Sequence, residues 1–129
     1  MTDKEVIRTD GAPAPFQGAP YSQAVRFGDL LFVAGQVALA PGADALTGET
    51  IEEQTEQVFA NLRAILEAAG SSLDRIVKTT VFLADFADFS GMNEVYRKHV
   101  GDVPPARATV QVAALPMGAK VEIAVVAHV

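Results

Sequence analysis

Arg107 follows Pro104-Pro105-Ala106 and opens a β-branched run, so a stiff approach would hold its guanidinium in one place. A guanidinium held that way grips a carboxylate by two parallel hydrogen bonds, although an arginine at a strand end also commonly serves as a solvated or salt-bridged surface group. Glu122 stands between Val121 and Ile123 in an otherwise apolar strand. An unpaired carboxylate there would hold its proton to higher pH, the property a general acid or base needs near neutrality. The plainer reading gives it an outward position on an alternating strand, or an ion pair with Lys120 or a neighbouring chain. Alternation puts Arg107, Thr109, Gln111 and Ala113 on one face. If Leu115 pairs with Lys120 across a tight turn, Glu122 lies opposite Ala113 and shares that face, about 20 Å from Arg107. One pocket served by both then requires a shifted register or a second subunit.

Other candidates are weaker. His99 and His128 lack a third donor at metal-ligand spacing and read as surface residues. Gly42, Gly48 and Gly91 form no phosphate-binding pattern, and Glu52, Glu53 and Glu56 suit the first turn of a helix rather than a cation site. Tyr21 and Phe16 could line a pocket or simply pin a loop. Asn93, four residues after Phe89, could bond a neighbour or face water. The absence of cysteine excludes disulfides, thiolate nucleophiles and iron–sulfur clusters.

The elements that must position these residues follow from period and punctuation. Ala24–Phe27 and Leu30–Ala34 are short apolar runs parted by Gly28-Asp29, a predicted β-hairpin. Thr50 with Glu53 forms a capping box, and Ile51, Val58, Leu62, Ile65, Leu66 and Ala69 recur at helical spacing until Gly70. Ile76–Leu83 reads as a strand covered on both faces. Asp85 or Asp88 caps a second helix, with Phe89, Met92 and Tyr96 in one stripe, ending near Val100 and Gly101. Strands over Ala108–Ala113 and Lys120–His128 flank the turn at Leu115–Gly118. This order predicts an α+β sandwich: one sheet with both helices on one face.

A length of 129 residues suits a single domain spanning 1–129, and the Pro/Gly-rich stretches 11–20 and 40–48 are too short to be interdomain linkers. Half of the residues are hydrophobic and the mean hydropathy is +0.23, more apolar surface than a core this small hides. A homo-oligomer would bury the excess against the sheet's open face. The net charge of −6 argues against a nucleic-acid partner. No apolar run approaches a membrane span and Met1–Asp10 lacks a targeting pattern, so a cytoplasmic location without membrane association is expected.

Pro105-Ala106-Arg107-Ala108-Thr109-Val110, followed by Leu115 and Lys120-Val121-Glu122-Ile123, resembles the C-terminal signature of the RidA (YjgF/YER057c/UK114) family. Ala19-Pro20-Tyr21-Ser22-Gln23-Ala24-Val25, Phe32-Val33-Ala34-Gly35-Gln36 and Ile76-Val77-Lys78-Thr79-Thr80-Val81-Phe82 extend the resemblance over almost the whole chain. It implies a chorismate mutase-like α+β fold assembled as a homotrimer, with three clefts between subunits. It also implies hydrolysis of 2-imino acids, formed from enamines such as 2-aminoacrylate, to 2-keto acids and ammonia, without metal or organic cofactor. On the same resemblance Arg107 anchors the substrate carboxylate and Glu122 positions or activates water. Tyr21 and Asn93 shape the pocket, and the backbone at Gly35 and Thr109 faces the imine nitrogen or water. Many members have serine at the position of Ala34 and cysteine at that of Thr109. The loss of the hydroxyl at Ala34 motivates a second reading, a noncatalytic trimer that binds or senses small carboxylates. A ribonuclease label, attached to parts of the family, would ask an acidic chain to hold a polyanion.

Overall fold

The computed structural model describes residues 3–129; Met1 and Thr2, the start of the segment read for targeting signals, lie outside the described residues. Gly28 takes a left-handed φ of 63° and with Asp29 closes the expected hairpin between β2 (Ala24–Phe27) and β3 (Leu30–Gln36). α1 (Ile51–Ala68) begins with the anticipated capping box. The Glu53 amide donates to Thr50 Oγ1 at 3.1 Å while the Thr50 amide donates to Glu53 Oε1 at 3.1 Å. Val58, Phe59, Leu62, Ile65 and Leu66 are fully buried on its inner face, each contributing roughly 1.5–3 kcal/mol on hydrophobic transfer scales.

β4 (Ile76–Leu83) runs through the molecule beneath the helices. A short 3-10 turn, capped by Asp85 Oδ1 accepting from the Ala87 amide at 2.9 Å, leads into α2 (Phe89–His99), whose N-cap is Asp88. Asp85 thus caps the turn rather than α2 itself, and Asp88 takes the N-cap position of α2 without a side-chain capping bond. β5 (Ala106–Gln111) and β6 (Val121–His128) complete the set. A further strand, β1 (Glu5–Ile7), pairs antiparallel with β2. Three residues with one buried side chain are too few to show a period, which is why the sequence reading passes over it.

The sheet order is β1-β2-β3-β6-β4-β5, mixed, with β4–β5 its parallel pair and both helices on one face, as expected. β6 runs antiparallel to both β3 and β4, so it fills the centre of a split β-α-β unit. The expected hairpin between the last two strands is therefore wrong. β5 returns from α2 to pair with β4, and the chain then crosses to the middle of the sheet. The reason is packing: β6 buries Val121, Ile123, Val125 and Ala127 under the helices, which only a central strand can do along its full length.

The faces separate cleanly. Leu31, Val33, Thr79, Val81, Leu83 and the odd-numbered residues of β6 lie under the helices, while Leu30, Phe32 and Val110 remain 41–47% exposed on the other side. β4 is thus covered on one face only within this chain, against the expectation of two. No helix among the described residues is long and apolar enough to cross a membrane.

Candidate active site

Glu122 projects from β6 onto the open face, because it is out of phase with buried Val121 and Ile123. It stands beside a β-bulge in β3. Val33 pairs with Val125 and Gln36 with Ile123, leaving Ala34 and Gly35 opposite a single residue of β6. Gly35 supplies the room for the carboxylate: a β-carbon there would lie 2.8 Å from Glu122 Cδ and closer still to Oε2. Tyr21, Ala34, Gly35 and Glu122 line one cavity of about 390 Å³, completed by apolar groups that include Phe16, Leu39 and Pro116. Burial in these surroundings raises the Glu122 pKa above the ordinary carboxylate value, and no hydrogen bond or ion pair engages it among the described residues.

The cavity's rim is sewn down by Gln23. Its amide nitrogen donates to the carbonyls of Thr9, Ala12 and Pro13 at 3.0, 3.2 and 2.8 Å, and its carbonyl accepts from the Thr9 amide at 2.8 Å. The sequence gives Gln23 no role, since a lone glutamine before an apolar strand is the one signal it offers and its burial shows only in the structure. Tyr21 does pin the loop, its hydroxyl accepting from the Phe16 amide at 2.7 Å, yet it also faces the cavity. Gly35→Ala is expected to displace the Glu122 carboxylate and lower kcat about 10–100-fold if that carboxylate acts on substrate. The fold should survive, as Gly35 has no left-handed φ; circular dichroism alongside kinetics checks both halves.

Arg107 lies elsewhere. In the parallel ladder it pairs with Thr79, which also pairs with buried Val125, so its side chain points under the helices and away from Glu122's face. This corrects the shared face expected from a β5–β6 hairpin. The two backbones are separated by one strand and three residues, about 14 Å by sheet spacing. At α2 the guanidinium donates from NH1 to Asn93 Oδ1 at 2.7 Å and lies over the rings of Tyr96 and Phe89, 4.7 and 5.5 Å from their centroids. Asn93, Tyr96, Pro104 and Arg107 border an open hollow of about 270 Å³. Thr109 is half-buried and lines neither cavity.

Of the seven candidate residues, Tyr21, Ala34, Gly35 and Glu122 thus line one cavity, Asn93 and Arg107 the other, and Thr109 neither. His128 is exposed as expected. His99 is not a plain surface residue: its ring stacks on Phe59 at 4.7 Å and Nε2 lies 2.5 Å from Glu56 Oε1, tying α2 to α1.

A mixed six-stranded sheet backed by two helices defines an α+β sandwich, here with a carboxylate in a bulge-built cavity on one face and an aromatic-cradled arginine on the other. The profile described as Endoribonuclease L-PSP matches residues 11–129. The chain belongs to this family, the RidA/YjgF family of the sequence resemblance. It is 48% identical to a RutC family protein of Saccharolobus solfataricus, over 97% of this chain and 98% of the relative. It is 44% identical to the 2-iminobutanoate/2-iminopropanoate deaminase of Mus musculus, over 96% of this chain and 90% of that one. The crystal structure of RidA from an Antarctic Psychrobacter superposes with a TM-score of 0.91 at 44% identity, covering 97% of this chain and 99% of that one.

Proposed function

We propose that the protein is an enamine/imine deaminase that hydrolyses 2-imino acids to 2-keto acids and ammonia, acting as a homotrimer with its sites between subunits. The observation that carries this reading is the unpaired, half-buried Glu122 carboxylate beside Gly35, in an apolar cavity large enough for a small imino acid. The naming of the mouse relative as a 2-iminobutanoate/2-iminopropanoate deaminase supports it.

Arg107 has five N–H donors, of which Asn93 takes one, and the others can present an edge to a substrate carboxylate. Ionised Glu122 takes a proton from water as the oxygen adds to the imine carbon. Protonated Glu122 returns that proton to nitrogen, giving a neutral carbinolamine; the carboxylate then carries the hydroxyl proton to the same nitrogen, the C–N bond breaks, and ammonia leaves as the C=O forms. The NH group of the bulge at Gly35 is suited to the oxygen or nitrogen of this intermediate. Thr109, on the same strand as Arg107, is assigned a place at the substrate only through this assembled cleft.

One chain separates these groups, and the trimer is the reading that unites them. The open face exposes Leu30, Phe32, Val77 and Val110, an apolar surface suited to burial against a second copy. Light scattering is expected to return three times the 13.6 kDa chain mass. The activity test is hydrolysis of 2-iminopropionate, generated in place by an amino-acid oxidase with catalase and followed by semicarbazide capture. Faster imine loss with the protein supports the deaminase. Pyruvate binding by calorimetry without acceleration, across larger imino acids as well, would favour the noncatalytic carboxylate binder that Ala34 motivates. The acidic charge of −6 disfavours RNA as substrate.

A further inference from the structure

The groups around Arg107 form a closed loop through the fold. Phe89, Asn93 and Tyr96 fall at i, i+4 and i+7 on α2, so one stripe of the helix meets the guanidinium. Tyr96 is 6% exposed, and its ring is fixed at both ends. The hydroxyl shares a 2.8 Å hydrogen bond with Thr79 Oγ1, and Phe59 stands edge-on to the ring at 5.7 Å and 77°. Thr79 is fully buried and is the residue paired with Arg107 across the β4–β5 ladder. The strand that carries the arginine is therefore tied, through its neighbour, to the ring beneath the arginine's head.

We propose that Tyr96, locked by Thr79, is a positioning residue that sets the plane of the Arg107 guanidinium for a planar carboxylate ligand. The proposal rests on the reading of Arg107 as carboxylate anchor. Asn93 fixes one edge of the guanidinium, and a single hydrogen bond leaves rotation about that contact free. The negative face of the Tyr96 ring, within the range where cation–π attraction acts, removes that freedom. The remaining N–H groups then point to one place, as bidentate recognition requires. Tyr96 has no part in proton transfer, since its hydroxyl is buried and already engaged by Thr79.

The test is Tyr96→Phe, Tyr96→Phe with the ring fluorinated at successive positions, and Tyr96→Leu, each assayed for imine turnover and for pyruvate binding by calorimetry. Tyr96→Phe keeps the ring face but frees it from Thr79, so KM and pyruvate Kd should rise together by about two- to threefold, less than on loss of the face itself. Successive fluorination leaves ring shape nearly unchanged while draining its negative face. KM and Kd should then rise together, by about fivefold at full fluorination, with kcat nearly constant. Tyr96→Leu should weaken both about five- to tenfold. A flat KM and Kd across the fluorine series overturns the proposal, even if Tyr96→Leu fails to fold. Loss of function on Arg107→Ala in the same assays then shows that the anchor reading itself stands. A parent protein that neither turns over imine nor binds pyruvate overturns the anchor and the positioning role together.

Discussion

Arg107→Ala is expected to lower kcat/KM for 2-iminopropionate by about two to three orders of magnitude, because a charged group that pairs with a ligand charge is worth several kcal/mol when truncated. The fold should tolerate it. Arg107 is only half-buried, and its side-chain hydrogen bond to Asn93 borders an open hollow where water can replace it. Light scattering and circular dichroism on the variant should match the parent, while calorimetry shows pyruvate binding lost. Full activity in a well-folded variant would remove Arg107 from the site.

Glu122→Gln is expected to cut kcat about 10²–10⁴-fold with KM within about threefold, the range in which a positioned base contributes. Desolvation raises the Glu122 pKa, so in the parent kcat/KM should climb with pH through a value above that of an ordinary glutamate. The same shift has a stability counterpart of opposite sense. Below the unfolded-state pKa, Glu122 is protonated in both states and adds no pH dependence. Between the unfolded and the folded pKa only the unfolded chain gives up the proton, so stability falls as pH rises, and it levels off above the folded value. Glu122→Gln should therefore melt higher than the parent at neutral pH, with the gap closing in acid. A variant that melts lower at neutral pH, or that changes KM alone, would contradict the assignment.

Most elements were legible because their signals are local. The Thr50–Glu53 capping box, the Gly28-Asp29 turn and the helical recurrence of Val58, Leu62, Ile65 and Leu66 each act within a few residues, and each appears where expected. Strand partnership is not local. Alternation correctly placed Arg107 and Thr109 together, yet nothing in β5 or β6 says that β4 lies between them. From that one misplaced neighbour came the mistaken face for Glu122. The half-sites show the same division. Glu122 and Tyr21 stood out by their own surroundings and Gly35 came through the resemblance, whereas Gln23 and Tyr96 act through contacts with residues 14 and 17 positions away, which local pattern does not report. The bulge at Ala34–Gly35 leaves no mark beyond a glycine.

The central place of β6 bears on how the protein is made. Ribosomal synthesis delivers this strand last of the six, after β1-β2-β3 on one side and β4-β5 on the other have already emerged. Until it arrives, β3 and β4 lack the strand that lies between them, and their inner edges have no partner. Premature termination after β5 would remove the seam of the molecule rather than its fringe, and Glu122 with it, leaving the inner edges of β3 and β4 unpaired.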